Sequence, residues 1–163
     1  MLDYASLLIQ KVMTEEELLR WVNRSRLKNN KIVFTNGCFD LLHAGHVDYL
    51  NKAAQFGQKL IIGLNADESV AKLKGPNRPI NSTHFRALVL SALHVVDAII
   101  VFNEVTPERL IKLIKPDVLV KGADYTVDQI AGAQFVLDSG GKVELIPFLE
   151  GFSTTSIIKK MKA

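Results

Sequence analysis

The chain has 163 residues, of which 48% are hydrophobic and 23% charged, and its formal net charge at pH 7 is +3. These values indicate one globular domain with a sizeable core and exclude a disordered chain. No apolar run has the length of a membrane span, the first residues lack the pattern of a secretory signal, and the single cysteine, Cys38, excludes a disulfide framework. The lysines form no continuous basic stripe with interleaved aromatic residues, so neither nucleic-acid nor membrane binding is expected, and we expect a cytoplasmic protein.

The first predicted elements are a helix, a strand and a second helix. Residues 14–28 are predicted to be helical because Thr14 and Glu17 have the spacing of a capping box, in which each side chain bonds the other residue's backbone N–H. An apolar strand over residues 31–34 follows. The next helix is predicted over residues 45–56, where apolar side chains recur on one face.

The alternation of strands and helices continues to the end of the chain. The further predicted strands cover residues 60–64, 98–102, 117–120 and 143–146. The further predicted helices are a short one after Asp67, one with an apolar face of Phe85, Leu88, Val89, Ala92 and Leu93, one begun by Thr106-Pro107-Glu108, one over 127–137, and a last one capped by Ser153. Glycine and proline mark residues 74–79 as a loop.

Short apolar strands separated by amphipathic helices predict an α/β fold whose parallel sheet is covered by helices on both faces. Right-handed crossovers make such a sheet doubly wound. We therefore expect residues 1–163 to form one domain, with a five-stranded, Rossmann-like core over 29–163 and an N-terminal helical extension over 1–28. Such sheets bind ligands at the carboxyl ends of the strands, where the strand order reverses.

The segment after the first strand carries the strongest functional signal. It contains a glycine turn and then His43, Gly45 and His46 at the predicted start of a helix. A helix N-terminus presents free N–H groups and a positive dipole end to a phosphate, two imidazoles add further donors, and Gly45 lets the backbone approach closely. A histidine at a helix start is more often a surface residue or a cap, but this one follows a strand at the ligand-binding edge.

These residues resemble a known family. The cytidylyltransferase-like nucleotidyltransferases share the motif Gly-x-Phe-Asp-x-x-His-x-Gly-His, and this chain matches it at Gly37, Phe39, Asp40, His43, Gly45 and His46. Further matches are Leu73-Lys74-Gly75, Arg78-Pro79, Arg86, Leu119-Val120-Lys121-Gly122, Asp124-Tyr125 and Ser153-Thr154-Thr155. Together they are most similar to the heptose 1-phosphate adenylyltransferase branch. The resemblance implies the strand order 3-2-1-4-5.

Nucleotidyl transfer requires attack by a phosphate oxygen on the α-phosphorus of a nucleoside triphosphate, and its catalysis is mainly positioning and charge neutralisation. The resemblance implies catalytic roles for His43, His46, Lys74 and Lys121. It implies nucleotide binding by Asn36, Gly37, Cys38, Phe39, Gly45, His46, Arg86, Lys121, Gly122, Asp124, Ser153, Thr154 and Thr155. It implies substrate binding by Asp40, Asn65, Lys74 and Arg78. Mg²⁺ is expected with the triphosphate, held by substrate oxygens and water, with no dedicated protein site.

Several of these residues have ordinary structural alternatives. Lysine and arginine side chains in a loop, such as Lys74 and Arg78, are usually solvated. Arg86 would also fit a surface ion pair, and Ser153 would also fit a role as an ordinary helix cap. Asp124 suits a ribose, a sugar hydroxyl or a magnesium shell, and the sequence does not choose among them.

The chain also departs from its relatives in three places. Ala123 replaces the usual second glycine, which is unfavourable if that position needs a positive φ. Phe152 replaces a cysteine or isoleucine. Residues 148–151 replace the Arg-Thr-x-Gly of the CTP-dependent relatives.

The resemblance implies an enzyme that transfers AMP from ATP to D-glycero-β-D-manno-heptose 1-phosphate for bacterial lipopolysaccharide or another surface glycan. One alternative is a cytidylyltransferase acting on a polyol or amino-alcohol phosphate, and another is a non-catalytic nucleotide-binding regulator. The sequence leaves the nucleobase and the anomer open. We also expect a homodimer, with Leu18, Trp21 and Val22 either at the contact or packed on their own domain, and a separate sugar kinase that supplies the substrate.

Overall fold

A computed structural model of the chain describes residues 9–149, 151–152 and 154–161. The helices are α1 (Glu15–Leu27), α2 (Ala44–Ala54), α3 (Asp67–Lys74), α4 (Thr83–Ser91), α5 (Glu108–Ile114), α6 (Ala133–Asp138) and α7 (Thr154–Met161). The strands are β1 (Ile32–Gly37), β2 (Lys59–Asn65), β3 (Ala98–Phe102), β4 (Val118–Gly122) and β5 (Lys142–Ile146). None of the helices in the described part of the chain has the length and apolarity needed to cross a bilayer.

The five strands form one parallel sheet in the order β3-β2-β1-β4-β5, which confirms the predicted fold. β1 pairs with β2 along its whole length, from Ile32 to Gly37. Its register with β4 places Val33 opposite Val118 and Phe34 opposite Leu119, in the first half of each strand. The strand order reverses between β1 and β4, so this junction is where a ligand site is expected.

Apolar side chains from both faces of the sheet are buried. On one face α1, α5 and α6 pack over Phe34, Ile61 and Leu119, and on the other α2 and α4 pack over Ile62 and Val120. Burying a side chain of this size contributes about 1.5–3 kcal/mol. The two clusters therefore hold the carboxyl ends of the strands in a rigid frame beneath the site.

Helix α1 begins with the predicted capping box between Thr14 and Glu17. Leu18 and Val22 are 0% and 1% exposed because they pack on the sheet of their own chain, and Trp21 packs beside them. For Leu18 and Val22 the expected dimer contact is therefore wrong and packing on their own domain is confirmed, whereas Trp21 is only partly buried and a contact there stays a prediction.

Helix α4 faces the sheet with a different side from the one predicted. Phe85 and Val89 are exposed, while Arg86 and Leu90 are buried. The apolar pattern misled the prediction because the helix is turned to bring a charged side chain inward. The structure shows why this is tolerated, since every N–H of that guanidinium has a hydrogen-bond acceptor (below).

The helix predicted over residues 127–137 is broken in two. Val127–Gln129 forms a single 3-10 turn, and α6 starts only at Ala133. Between them Gly132 adopts a left-handed conformation with φ +82°, where a Cβ atom would lie 2.8 Å from Ile111 Cδ1. A regular helix does not pass through such a residue, so the segment turns here instead.

Candidate active site

The turn after β1 has an unusual backbone. Phe39 has a φ of +45°, which is rare for an aromatic residue and costs free energy that the surrounding contacts must offset. Its ring lies against the backbone of Gly37, where a Cβ atom would be 3.0 Å from Phe39 Cε2. The ring also lies 5.3 Å from that of His46, measured between centroids. The turn thus packs its own aromatic side chain beneath the histidine.

His43 and His46 stack face to face at the start of α2. Their ring centroids are 3.9 Å apart with an interplanar angle of 24°. His43 is the N-cap residue but makes no side-chain capping bond. The Nδ1 atoms of both rings are buried without a hydrogen-bond partner in the part of the chain that the structure describes. Two buried, unsatisfied nitrogens beside free helix N–H groups are typical of a site that an anion completes.

Burial keeps both imidazoles neutral. Burial, together with the nearby His43 and Lys74, lowers the pKa of His46 to about 4. Burial also lowers the pKa of His43. Gly45 lies between them, and a Cβ atom there would be 3.1 Å from the His43 ring. The two neutral rings stack without charge repulsion, and a bound polyphosphate would draw protons onto them.

Lys121 reaches from the end of β4 toward β1. Its Nζ donates to the Asn36 carbonyl at 3.3 Å and lies 5.6 Å from the centroid of the Tyr125 ring. Burial lowers the pKa of Lys121 to about 8, although the charges of Asp124 and Cys38 act in the opposite direction. The ammonium therefore lies between the diverging carboxyl ends of β1 and β4, beside the predicted phosphate position.

Asp40 ties the turn to the loop that follows Lys74, the last residue of α3, and carries Arg78. Its carboxylate accepts from Arg78 Nε at 2.5 Å, from the Ile80 N–H at 2.8 Å and from the Asn81 N–H at 3.1 Å. The residue is 2% exposed, so its oxygens face protein and not a substrate. Asp40 does support the turn, but the predicted contact with substrate is not what the structure shows. Arg78 retains a buried Nη2 without a partner among the described residues.

Arg86 also differs from its prediction as a nucleotide ligand. It is 2% exposed and lies at the centre of a cluster of hydrogen bonds. Its five N–H groups donate to the Asn81, Cys38 and Asn65 carbonyls, the Asp67 carboxylate and the Thr83 hydroxyl. No donor remains for a nucleotide.

Asn65 is likewise 2% exposed, and its Nδ2 donates to Ser69 at 2.9 Å, so it too faces protein. The thiol of Cys38 is half-buried, and burial raises its pKa. Asp124 is exposed near Lys121, and Ala123 has no positive φ, so the departure from glycine strains nothing. Thr154 is the first residue of α7.

Two predicted ligands, Ser153 and the side chain of Thr155, lie outside the described residues. Among the described residues no group of His, Cys, Asp and Glu side chains is arranged to hold a metal ion.

Sequence reasoning missed two contacts beneath the site. A Cβ atom on Gly122 would lie 2.2 Å from Phe148 Cζ, so the glycine admits an aromatic ring against the end of β4. The hydroxyls of Tyr49 and Thr35 share a buried hydrogen bond of 2.8 Å under the turn. Of the two contacts, only the first had a signal in the sequence, which was Gly122. The second had none, because Tyr49 and Thr35 lie on different elements.

Several known proteins are similar to this chain in sequence. Residues 34–160 match the family described as cytidylyltransferase-like. The bifunctional protein HldE of Pseudomonas fluorescens (strain SBW25) is 53% identical over 151 residues, which are 93% of this chain and 32% of that protein. Its counterpart in Hydrogenovibrio crunogenus is 54% identical over 92% of this chain and 31% of its own length. The chain thus spans about a third of the curated relatives it matches.

Solved structures show the same architecture. A lipopolysaccharide core biosynthesis protein from Thermoplasma volcanium superposes with a TM-score of 0.57 at 25% identity, over 74% of this chain and 97% of that one. A pantoate-beta-alanine ligase from Francisella tularensis superposes with a TM-score of 0.62 at 16% identity, over 93% of this chain and 76% of that one. The second likeness concerns the fold alone.

Proposed function

Because the chain belongs to the cytidylyltransferase-like family of nucleotidyltransferases, we propose that it transfers AMP from ATP to D-glycero-β-D-manno-heptose 1-phosphate. The products are ADP-heptose and pyrophosphate, for lipopolysaccharide or another surface glycan. The likeness to a lipopolysaccharide core biosynthesis protein supports this substrate class.

The observation that carries the proposal is the pair of stacked, neutral histidines with unsatisfied Nδ1 atoms at the start of α2. In our proposal the triphosphate lies against this helix terminus, where N–H groups and the dipole favour negative charge. His43 and His46 donate to phosphate oxygens, and Lys121 neutralises charge from the β4 side. The half-buried Lys121 ammonium contributes more there than in water, because the local dielectric is lower.

The reaction needs no protein nucleophile. An oxygen of the sugar 1-phosphate forms a bond to the α-phosphorus of ATP while the bond from that phosphorus to the bridging oxygen breaks. Pyrophosphate leaves in line with the electron pair of the broken bond. Lys74 ends α3, and Arg78 follows on the loop held by Asp40. We assign Lys74 and the free edge of Arg78 to the phosphates of the two substrates. Mg²⁺ enters with ATP, held by phosphate oxygens and water.

The experiment is a matrix of ATP, CTP, GTP and UTP against both anomers of heptose 1-phosphate and a set of polyol phosphates, with pyrophosphate release as the readout. We expect release with ATP and the β anomer, with ADP-heptose formed in equal amount. Release only with CTP and a polyol phosphate would establish the cytidylyltransferase alternative. No release from any pair, with nucleotide still bound, would establish the non-catalytic one.

We further propose that a kinase reaction supplies the sugar 1-phosphate and that the site described above does not catalyse it. Incubation of the purified chain with ATP and heptose 7-phosphate should yield no bisphosphate, and its appearance would contradict this. The homodimer also stays a prediction, and light scattering at micromolar concentration decides it.

A further inference from the structure

Arg86 joins its own helix start to two segments that are distant in sequence, the turn after β1 and the end of β2. Nη1 donates to the Cys38 carbonyl at 2.6 Å, in the turn after β1, and to the Asn65 carbonyl at 2.8 Å, at the end of β2. Nε donates to the Asn81 carbonyl at 2.9 Å, in the segment between α3 and α4. Nη2 donates to Asp67 at the start of α3 and to Thr83 at the start of α4. We call Arg86 and these five acceptors the Arg86 hub.

The hub continues into the loop through a second set of bonds. The Asn81 N–H donates to the Asp40 carboxylate and its Nδ2 donates to the Asp40 carbonyl. The same carboxylate holds Arg78 Nε and the Ile80 N–H. One connected network therefore fixes the loop to the turn that carries the two histidines.

An isolated buried guanidinium is costly unless its donors are satisfied. Here Asp67 is the ionic partner of Arg86. Burial alone would raise the pKa of the Asp67 carboxyl, but hydrogen bonds from Arg86 and Thr83 outweigh it and hold this pKa below its ordinary value. A lysine at position 86 would keep the charge, but it has three donors from one point and does not reach five acceptors arranged around a planar fork.

We propose that Arg86 is a positioning residue that sets the placement of Lys74 and Arg78 relative to the histidine turn. It touches neither substrate and acts through the Cys38 and Asn81 carbonyls. The inference rests on the proposed function for its turnover readout, but nucleotide binding gives a second readout. Because small displacements of positioned groups cost up to about a hundredfold in rate, loosening the hub should lower the activity of the folded protein in addition to its stability.

The test is a double-mutant cycle of Arg86→Lys and Lys74→Ala, read in Mg-ATP affinity by calorimetry and in kcat/KM. If Arg86 acts in part through Lys74, each single variant should lose about tenfold or more, and the double variant should lose clearly less than the product of the two single losses. Losses that multiply, or an Arg86→Lys protein with wild-type affinity and kcat/KM, would overturn the proposal.

Two further variants separate positioning from folding. Arg26 also donates to main-chain carbonyls, those of Ile114 and Lys115, but at the amino-terminal edge of the sheet. Arg26→Lys should lower the melting temperature without changing Mg-ATP affinity, and an equal loss of affinity would contradict the proposal.

Should Arg86→Lys fail to fold, Asp67→Ala replaces it in the cycle, because this acceptor has a side chain 47% exposed. It should give the same non-additivity with Lys74→Ala. If no acceptor sugar reacts, the proposed function falls, while the cycle in Mg-ATP affinity still decides the role of the hub.

Discussion

Replacing Lys121 by methionine should stabilise the nucleotide-free protein while weakening its binding of nucleotide. Methionine keeps an unbranched stem of similar size and removes the ammonium that lies between β1 and β4. The charged form of Lys121 is disfavoured in the folded protein, because burial lowers its pKa from 10.5 to about 8. The folded protein therefore carries a destabilising charge at pH 7 that a ligand phosphate would compensate.

The magnitude follows from that difference in pKa. At about 1.4 kcal/mol for each pKa unit it corresponds to about 3 kcal/mol at pH 7. Loss of the 3.3 Å bond to the Asn36 carbonyl and of the contact with the Tyr125 ring offsets about 1 kcal/mol. The net gain should be about 2 kcal/mol, or about 4–8 °C in melting temperature for a chain of this size.

The sign of the pH dependence is fixed by linkage. Between about pH 8 and 10.5 the unfolded chain still holds the Lys121 proton and the folded chain has lost it, so wild-type stability rises with pH in this window. The advantage of Lys121→Met should be complete below pH 8 and be lost before pH 10.5, where the contacts of the neutral lysine favour the wild type. Urea unfolding of both proteins across this range measures it, with the exposed Lys72→Met as control. A variant less stable than wild type at pH 7, or an advantage independent of pH, would refute the reasoning.

Other expectations concern the turn and the residues beneath it. His46→Ala should lower kcat by about a hundredfold or more, since one lost donor costs roughly 2.7–4 kcal/mol of barrier; near-normal turnover would exclude the assigned role. Because the pKa of His46 is lowered to about 4, the folded protein loses stability as pH falls from about 6.5 to 4, and the acid limb of an unfolding titration should be shallower for His46→Gln. Tyr49→Phe should cost about 1–3 kcal/mol by leaving the Thr35 hydroxyl unpaired, and adding Thr35→Val should recover part of it; equal additive losses in urea unfolding would contradict this.

The sheet was predictable because its strands are nearly continuous apolar runs. β3 has the predicted bounds, residues 98–102, and the other strands differ by one to three residues at their ends. The α4 face was not predictable from an apolar pattern, because the acceptors that make Arg86 acceptable inside come from residues distant along the chain. In the segment predicted as one helix over residues 127–137, by contrast, Gly132 indicated a break. The prediction gave more weight to the spacing of the apolar residues.

The position of the histidine pair and of Lys121 followed from the rule that parallel strands gather their carboxyl ends at one edge. What could not follow was which polar residues face the crevice and which face protein. Asp40 and Arg86 match motif positions, and Asn65 was predicted to bind substrate, yet their polar groups bond to the scaffold. A match to a motif does not tell a residue that shapes the site from one that contacts a ligand, and the coordinates do.

The limited register between β1 and β4 has a consequence for how the protein acquires activity. These strands join the two halves of the chain, and the residues that meet there, Val33 with Val118 and Phe34 with Leu119, are far apart in sequence. Closing so long a loop is entropically slower than forming the neighbouring β1–β2 unit. During refolding, helical circular dichroism should therefore recover before Mg-ATP binding, and simultaneous recovery would show that the two halves dock early. The crevice between β1 and β4, where we propose that the nucleotide binds, is therefore expected to form last during folding.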